Sequence, residues 1–320
     1  MLSVVVPIFN EVENLEALHA RLGETLDRLR PDMRDSEIIY VDDGSDDGSS
    51  ELMGDQAGRD PRIRIVTLSR NFGHQAAIMA GLAAAEGEAV VIMDGDLQDP
   101  PEVIPELVAR WRAGAVVVAA ERRTRADRGW RGLAFDGFHR LFSWISDLPM
   151  DGDSGVFSLL DRRAVEEVLR LPERNRFLPG LRTWIGFNQQ TVSYDRQARA
   201  AGHPKQTLTR LVRYAGDAVF SFSYKPLRVM VTLGILISTA GFGMASIYIT
   251  KRLLGIEEAQ TGFTTIVTVV LFLGGIQLVA IGLLGEYMAR IYDEVKRRPL
   301  YLVRDAAPRK PSDRNDTRQP

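Results

Sequence analysis

Two long uncharged stretches near the carboxyl end constrain the fold of this chain more than any other feature. Residues 229–250 give 22 positions without a charge, and residues 259–285 give 27. At 1.5 Å per residue, the shorter stretch forms a helix of roughly 33 Å, which exceeds the bilayer hydrocarbon core of about 30 Å. The sequence therefore predicts two transmembrane helices. Two buried core helices are the alternative, but soluble helices of this length usually carry a polar face.

The distribution of Lys and Arg predicts how these helices are oriented. Basic residues precede the first stretch and follow the second, whereas the two in the connecting loop are offset by two glutamates. An excess of Lys and Arg marks the cytoplasmic side of a membrane. The first apolar run ends at Pro7, which is too short for a signal peptide. We expect a multi-pass protein of the inner (plasma) membrane, with its amino-terminal domain and both termini in the cytoplasm.

The segments around the predicted two-helix domain, residues 226–291, have their own patterns. Residues 207–225 repeat apolar side chains at helical spacing, which predicts an amphipathic helix at the membrane surface; a core helix of the soluble domain is the alternative. Residues 292–320 form a predicted cytoplasmic tail, and we expect disorder after Val303 because the segment is polar and contains prolines. Gly234 and Ser238 form a small-x-x-x-small pair, which favours helix contact and predicts a homo-oligomer.

The first 206 residues alternate strand-like and helix-like segments. This alternation predicts an α/β domain, with a mainly parallel sheet and helices on both faces. The predicted strands are 2–6, 37–41, 63–68, 88–93 and 115–119, and the predicted helices are 14–29, 49–58, 74–85 and 101–112. Ligands bind such sheets at the carboxyl ends of the strands. The polar residues that follow each strand are therefore the candidates for function.

The fourth predicted strand runs into "MDGDLQDPPE". Asp94 and Asp96 are alternate residues of an extended segment, so their carboxylates point to one side, with Gln98 in reach beyond them. Adjacent carboxylates repel unless a cation lies between them, and Mg²⁺ or Mn²⁺ held by one or two carboxylates completes its coordination with substrate phosphates. The motif therefore predicts a metal site that binds a nucleotide diphosphate. Asp99 and Glu102 are interpreted as the N-cap and a first-turn acid of the next helix.

Other sequence features narrow the substrate class. Forty basic and 42 acidic side chains give a net charge of −2, which argues against a nucleic-acid partner. The G-x-G-x-x-G and P-loop fingerprints are absent, so neither a dehydrogenase nor a P-loop kinase fits. Asn10 and Glu13 stand at capping-box spacing, and Asp42 and Asp43 suit either a turn or a ligand site. The histidines show no metal-ligand spacing and are interpreted as structural or incidental; they are His19, His74, His139 and His203.

Four segments, followed by the two predicted membrane helices, resemble the family 2 glycosyltransferases of GT-A fold. The segments are "VVVPIFNEVENL", "YVDDGSDDGS", "LSRNFGHQAAIMAGL" and "MDGDLQDPPE". More narrowly, they resemble the polyprenyl-phosphate glycosyltransferases, which include dolichol-phosphate mannose synthase and bacterial undecaprenyl-phosphate glucosyltransferases. The resemblance covers about residues 1–303. It implies a Rossmann-like GT-A domain and an inverting, metal-dependent transfer of a sugar from a nucleotide sugar to undecaprenyl phosphate.

The resemblance also implies the roles of particular residues. The metal, Mg²⁺ or Mn²⁺, is expected on Asp94, Asp96 and Gln98. The nucleoside pocket is expected to include Pro7, Phe9, Glu11, Asp42, Asp43 and Gly95. The acceptor phosphate is expected to meet Arg122, Arg125, Arg131, Arg199 and Lys205. Asp96 and Arg122 are the principal catalytic candidates.

One segment departs from the family pattern. Where many relatives have G-D-F-R-L, this chain has "GVFSL", so Val156 and Ser158 occupy the acidic and basic positions. Asp153 is the nearest acid and the candidate replacement. The "SRNFGHQAA" segment resembles the glucosyltransferase branch and favours UDP-glucose, with mannose, N-acetylglucosamine and a modified pentose as alternatives.

Two other functions are compatible with parts of this pattern. A processive polysaccharide synthase shares the nucleotide-sugar domain, but the Q-x-x-R-W motif and the additional membrane helices of that group are missing. A catalytically inactive membrane scaffold of the same fold is the second alternative, and the departure at Val156 is the feature that favours it. The intact acidic motif with Gln98 favours an enzyme.

Overall fold

The computed structural model describes residues 1–29, 33, 35–122, 154–174, 176–195, 225–254 and 262–306. The described residues fall into two compact units. One is an α/β unit formed by the residues up to 195 together with 298–306, and the other is a helical unit within residues 225–297. The predicted amphipathic segment before residue 225 lies outside the described residues, as do Arg125, Arg131, Asp153, Arg199 and Lys205.

The α/β unit is built on an eight-stranded mixed sheet. Its strands are β1 (Leu2–Ile8), β2 (Ser36–Asp42), β3 (Ile63–Leu68), β4 (Ala89–Ile92), β5 (Val117–Arg122), β6 (Ser154–Asp161), β7 (Gln189–Tyr194) and β8 (Val303–Ala306). They lie in the order β7-β5-β6-β4-β1-β2-β3-β8. The first four strands pair in parallel, and so do β5 and β7. Strand β6 runs antiparallel to β4 and β5, and β8 runs antiparallel to β3.

Helices cover both faces of this sheet. They are α1 (Val12–Leu29), α2 (Ser49–Arg59), α3 (His74–Ala84), α4 (Ile104–Arg112), α5 (Arg162–Arg170) and α6 (Leu178–Trp184), with a 3₁₀ turn at Pro101–Val103. On one face, Leu18 of α1 shares a core cluster with Val4 and Val6 of β1. On the other face, a Cβ placed on Gly81 of α3 would lie 2.2 Å from Cγ1 of Val5. Because successive side chains of β1 point to opposite faces of the sheet, α1 packs on one face and α3 packs on the other.

The predicted α/β architecture is confirmed by these elements. All five predicted strands and all four predicted helices are present, although the last predicted helix begins with the 3₁₀ turn. Within the α/β unit, the strands and helices after residue 122 were not predicted. The expectation of disorder after Val303 is wrong for Arg304 to Ala306, which lie in β8. This strand covers the edge of β3, where Ser69 N donates to Leu302 O at 2.8 Å, because an uncovered edge leaves backbone groups unpaired.

The helical unit contains α7 (Lys225–Leu253) and α8 (Phe263–Val295). Two windows are long and apolar enough to cross a membrane: Leu227–Met244, with a mean hydropathy of 1.6, and Phe272–Val295, with 1.5. Neither window is buried, and Leu236 and Phe272 are both 60% exposed. The alternative of two buried core helices is therefore wrong for the described part of the chain. The homo-oligomer inferred from Gly234 and Ser238 stays a prediction.

Candidate active site

The acidic motif lies in the loop that follows β4. Asp94, Asp96 and Gln98 are all partly exposed there. Gly95 lies against the end of β1, because a Cβ at this position would be 2.6 Å from Cδ1 of Ile8. Only glycine allows so close an approach. The loop is thus pressed onto the carboxyl end of β1, with its carboxylates at the edge where ligands bind parallel sheets.

His74 contacts this motif from the first turn of α3. Its Nε2 lies 3.3 Å from Oδ1 of Asp94. Burial works to lower the pKa of His74, but the carboxylates of Asp94, Asp43 and Asp96 outweigh it, so the pKa is raised. The interpretation of His74 as structural or incidental did not anticipate this contact with the acidic motif. His74 belongs to the "RNFGHQ" segment between β3 and α3, and this position after a strand of the parallel sheet could have indicated the site.

Asp43 holds the loop that leads into α3. Its Oδ1 accepts from Phe72 N at 2.7 Å, and its Oδ2 accepts from Gly73 N at 2.9 Å. Burial raises the pKa of Asp43, although both backbone bonds and the charge of His74 oppose this effect. The carboxylate therefore has a defined structural task between β2 and α3. If Asp43 contacts a nucleoside, it would do so with a carboxylate oxygen that also accepts a backbone hydrogen bond from Phe72 or Gly73.

The loops after β1 and β2 are linked by reciprocal side-chain bonds. Asn10 Nδ2 donates to Asp46 Oδ1 at 2.7 Å, and Asp46 N donates to Asn10 Oδ1 at 3.0 Å. The first helical N–H of α1, on Val12, donates to Oδ2 of Asp47 at 3.0 Å. The predicted capping box of Asn10 and Glu13 is therefore wrong. Asp47 caps α1 from another loop, and Asn10 joins the two loops instead.

The remaining predicted nucleoside residues lie on the same edge. Asp42 is buried, and it accepts from Ser45 N at 2.9 Å and from the hydroxyl of Ser50. Glu11 accepts from Asn14 Nδ2 at 2.7 Å. Pro7 is buried within β1, whereas the ring of Phe9 is 41% exposed. These residues lie at the ends of β1 and β2, where Phe9 presents an exposed aromatic ring.

A second cluster joins Asp99, Tyr194 and Arg122. Asp99 is fully buried, and its Oδ1 accepts a hydrogen bond from the hydroxyl of Tyr194. That hydroxyl accepts from Arg122 Nε at 3.2 Å, and Arg122 Nη2 lies 3.7 Å from Asp99 Oδ1. The interpretation of Asp99 as a helix N-cap is therefore wrong. Glu102, interpreted as a first-turn acid, forms a bidentate pair with Arg21 at 2.9 and 2.7 Å.

The electrostatics of this cluster connect it to the acidic motif. Burial and the negative charge of Asp94 raise the pKa of Asp99, against the opposing effects of Tyr194 and Arg122. Burial disfavours the charge of Arg122, but its bond to Tyr194 and its proximity to Asp99 outweigh this effect and raise its pKa. Arg122 is thus a cation at the border of a strongly negative region.

Val156, at the position where many family members have an acidic residue, is buried together with Ser158. Val156 and Ser158 lie in β6, where they are 7% and 0% exposed, and Ser158 Oγ donates to Val156 O at 2.9 Å. Arg182 of α6 is 1% exposed and donates Nη1 to Gly155 O at 3.0 Å. The buried guanidinium beside this strand therefore comes from another element. It was not anticipated from the sequence.

The acidic motif fits a hard divalent cation. Among the residues that the structure describes, no group of three or more His, Cys, Asp or Glu side chains is placed to hold a metal ion. The two carboxylates and the amide of Gln98 are oxygen donors, and Mg²⁺ is held in this way by one or two carboxylates together with substrate phosphates. The carboxylates around His74 raise its pKa against the effect of burial, and burial together with the charge of Asp94 raises the pKa of Asp99. A cation bound at the motif would neutralise that negative charge.

Comparisons with known proteins cover almost the whole chain. The model for "Glycosyl transferase family 2" matches residues 3–169, and the model for "GtrB C-terminal hairpin" matches residues 225–291. An uncharacterized glycosyltransferase of Synechocystis sp. is 42% identical over 95% of this chain and 95% of its own length. The SfII prophage-derived bactoprenol glucosyl transferase of Shigella flexneri is 38% identical over 95% of this chain and 97% of its own length.

A solved structure is similar at a lower level. The crystal structure of glucosyl-3-phosphoglycerate synthase from Mycobacterium tuberculosis, in complex with Mn²⁺, uridine diphosphate and glucosyl-3-phosphoglycerate, is 21% identical with a TM-score of 0.45. The match covers 69% of this chain and 77% of that chain.

Proposed function

The chain belongs to glycosyl transferase family 2, and from that premise we propose that it transfers glucose from UDP-glucose to a polyprenyl phosphate. The observation that carries the proposal is the placement of the acidic motif and Arg122 at one edge of the sheet, linked through Asp99. Support for the glucosyl group and the lipid comes from the bactoprenol glucosyl transferases, which match this chain over 95% of its length.

The donor half of the site would hold the nucleotide diphosphate. Asp94, Asp96 and Gln98 are the residues that would bind Mg²⁺ or Mn²⁺ with it. A bound divalent cation supplies charge stabilisation to the departing diphosphate. The loops joined by Asn10 and Asp43 would form the nucleoside pocket, with the exposed ring of Phe9 available for stacking on the base.

The acceptor half of the site needs cations more than a base. A phosphate monoester has a second pKa of about 6, so its oxygen is already an anionic nucleophile at neutral pH. Arg122 would orient that phosphate, since a guanidinium binds phosphate oxygens with bidentate geometry. Arg125, Arg131, Arg199 and Lys205 are the further proposed phosphate contacts. The uncharged Val156 fits this chemistry because no proton has to be removed; Asp153 stays the candidate if a base is required.

The proposed reaction is a direct displacement at the anomeric carbon. The phosphate oxygen forms the new bond to C1 of glucose while the bond from C1 to the diphosphate oxygen breaks, and the bonding electrons leave with UDP. Attack opposite the leaving group inverts the configuration of C1. The protein's contribution is to position the two phosphates and to control their charge.

The fold supports a membrane location for this chemistry. The chain leaves the α/β unit before α7 and returns to the same sheet as β8 after α8. Two membrane crossings satisfy this connectivity, because an even number of crossings returns a chain to its starting side. From the Lys and Arg distribution we propose that this side is the cytoplasm.

Purified full-length protein in lipid nanodiscs tests the proposal. We expect UDP release from UDP-glucose that requires both undecaprenyl phosphate and a divalent cation, with a single glucose transferred per lipid. Release that is independent of the lipid would contradict the acceptor assignment. A polymeric product would favour the processive synthase, and the absence of any turnover across a panel of nucleotide sugars would favour the inactive scaffold.

A further inference from the structure

We propose that Asp99 and Tyr194 are positioning residues that hold the Arg122 guanidinium for the acceptor phosphate. This inference rests on the proposed function and deepens it. It assigns the orientation of the acceptor-binding arginine to two residues that do not themselves reach the substrate. Both are nearly inaccessible, with Asp99 at 0% and Tyr194 at 5% exposure, whereas the Arg122 side chain is 26% exposed.

The backbone places Arg122 and Tyr194 side by side. Strands β5 and β7 are parallel, and Arg122 and Tyr194 are direct partners in their register. The Tyr194 ring packs edge-on against Phe157 of β6, with ring centroids 5.6 Å apart and an interplanar angle of 80°. The phenol is therefore held by packing before it meets the arginine.

The hydrogen bonds form a chain with a fixed direction. Arg122 Nε donates to the Tyr194 hydroxyl, and that hydroxyl donates to Asp99 Oδ1. The other oxygen of Asp99, Oδ2, is buried and has no hydrogen-bond partner among the described residues. A buried carboxylate with so few partners is costly unless a cation lies near it, so Asp99 favours the geometry in which Arg122 stays close.

Among the described residues, Arg122 is engaged through Nε and Nη2 and its side chain is 26% exposed, so we expect the phosphate to meet Nη1. Nε is engaged by Tyr194, and Nη2 lies against the backbone of β6, because a Cβ on Gly155 would be 3.2 Å from it. Asp99 immediately follows Gln98 of the acidic motif. The buried carboxylate thus ties the donor-binding loop to the acceptor-binding arginine.

A double-mutant cycle tests whether Tyr194 acts through Arg122. We expect Tyr194→Phe to raise KM for undecaprenyl phosphate about tenfold to a hundredfold, as for loss of one hydrogen bond to a charged group, with KM for UDP-glucose unchanged. In an Arg122→Ala background, Tyr194→Phe should produce no further increase, because the group it positions is gone. Asp99→Asn should raise the same KM in the presence of Arg122.

Tyr40→Phe is the matched control. Tyr40 is a buried tyrosine of β2 in the same sheet, and its hydroxyl lies 3.5 Å from Nδ1 of His19. We expect its KM values to equal those of the wild type. Equilibrium binding of undecaprenyl phosphate, measured without UDP-glucose, should weaken in Tyr194→Phe and stay unchanged in Tyr40→Phe.

The outcomes separate this inference from the function on which it rests. Additive effects of Tyr194→Phe and Arg122→Ala, or equal increases in both KM values, would overturn the positioning role while leaving the transferase intact. An unchanged lipid KM in Arg122→Ala would remove the acceptor role of the arginine. A wild-type protein without lipid-dependent turnover and without lipid-phosphate binding would overturn the proposed function and this inference together.

Discussion

Gly44 lies where two loops of the nucleoside pocket meet, and replacing it with alanine should separate them. Gly44 has a φ of +75°, and a Cβ there would lie 2.8 Å from the backbone C of Arg70 and 2.8 Å from the backbone N of Asn71. The left-handed conformation costs a non-glycine residue about 1–2 kcal/mol. The contact with backbone atoms, which cannot rotate away, adds about 1–3 kcal/mol.

Gly48 in the same loop supplies the matched control. Its φ is +94°, but a Cβ there would meet only Cγ2 of Val12, at 4.0 Å. Gly48→Ala should therefore cost only the conformational term, about 1–2 kcal/mol, against about 2–5 kcal/mol for Gly44→Ala. The difference isolates the steric contact between the loops from the strain of a positive φ.

The assay is the thermal unfolding midpoint of the full-length protein in detergent, together with KM for UDP-glucose. Each kcal/mol corresponds to a shift of about 2–4 °C for a domain of this size. We expect the larger shift in Gly44→Ala, with a raised donor KM, because the displaced Arg70–Asn71 backbone leads directly to the amides held by Asp43. Equal midpoints for the two variants would refute the reasoning.

Three further predictions address the metal, the core and pH. Asp96→Asn should lower turnover by orders of magnitude without unfolding the protein. The control Asp55→Asn, at an exposed position of α2, should leave turnover unchanged. Wild-type rates in Asp96→Asn with metal present would reject the metal assignment. Gly81→Ala should lower the unfolding midpoint by pushing α3 away from β1, and an unchanged midpoint would contradict that packing. Burial lowers the pKa of His19, so the unfolded chain binds more protons than the folded protein, and stability should fall as the pH drops below about 6.5. In His19→Gln, the thermal unfolding midpoint should depend less on pH between about pH 7 and 5 than it does in the wild type.

Several parts of this fold could be predicted because their signals are local. The first five strands and four helices follow from apolar periodicity, and the two apolar helices follow from length and the absence of charge. The acidic motif was found because its carboxylates directly follow a strand, but the extended segment assumed for it is wrong, since Gly95 and Asp96 lie in a turn and Leu97 has a φ of 60°. Helix capping was predicted less well, because Asp47 supplied the cap of α1 from a distant loop.

The sequence by itself determined the first five strands and four helices, the strand that the acidic motif follows, and the segments that are apolar enough for a bilayer. Only the tertiary structure decided that His74 faces Asp94, that Asp99 turns inward to Tyr194, and that the chain returns as β8 to cover an open edge. Periodicity is a property of neighbouring residues, whereas Asp99 and Tyr194 are 95 positions apart. Their pairing depends on strand order and on the need to satisfy buried polar groups, which no local pattern contains.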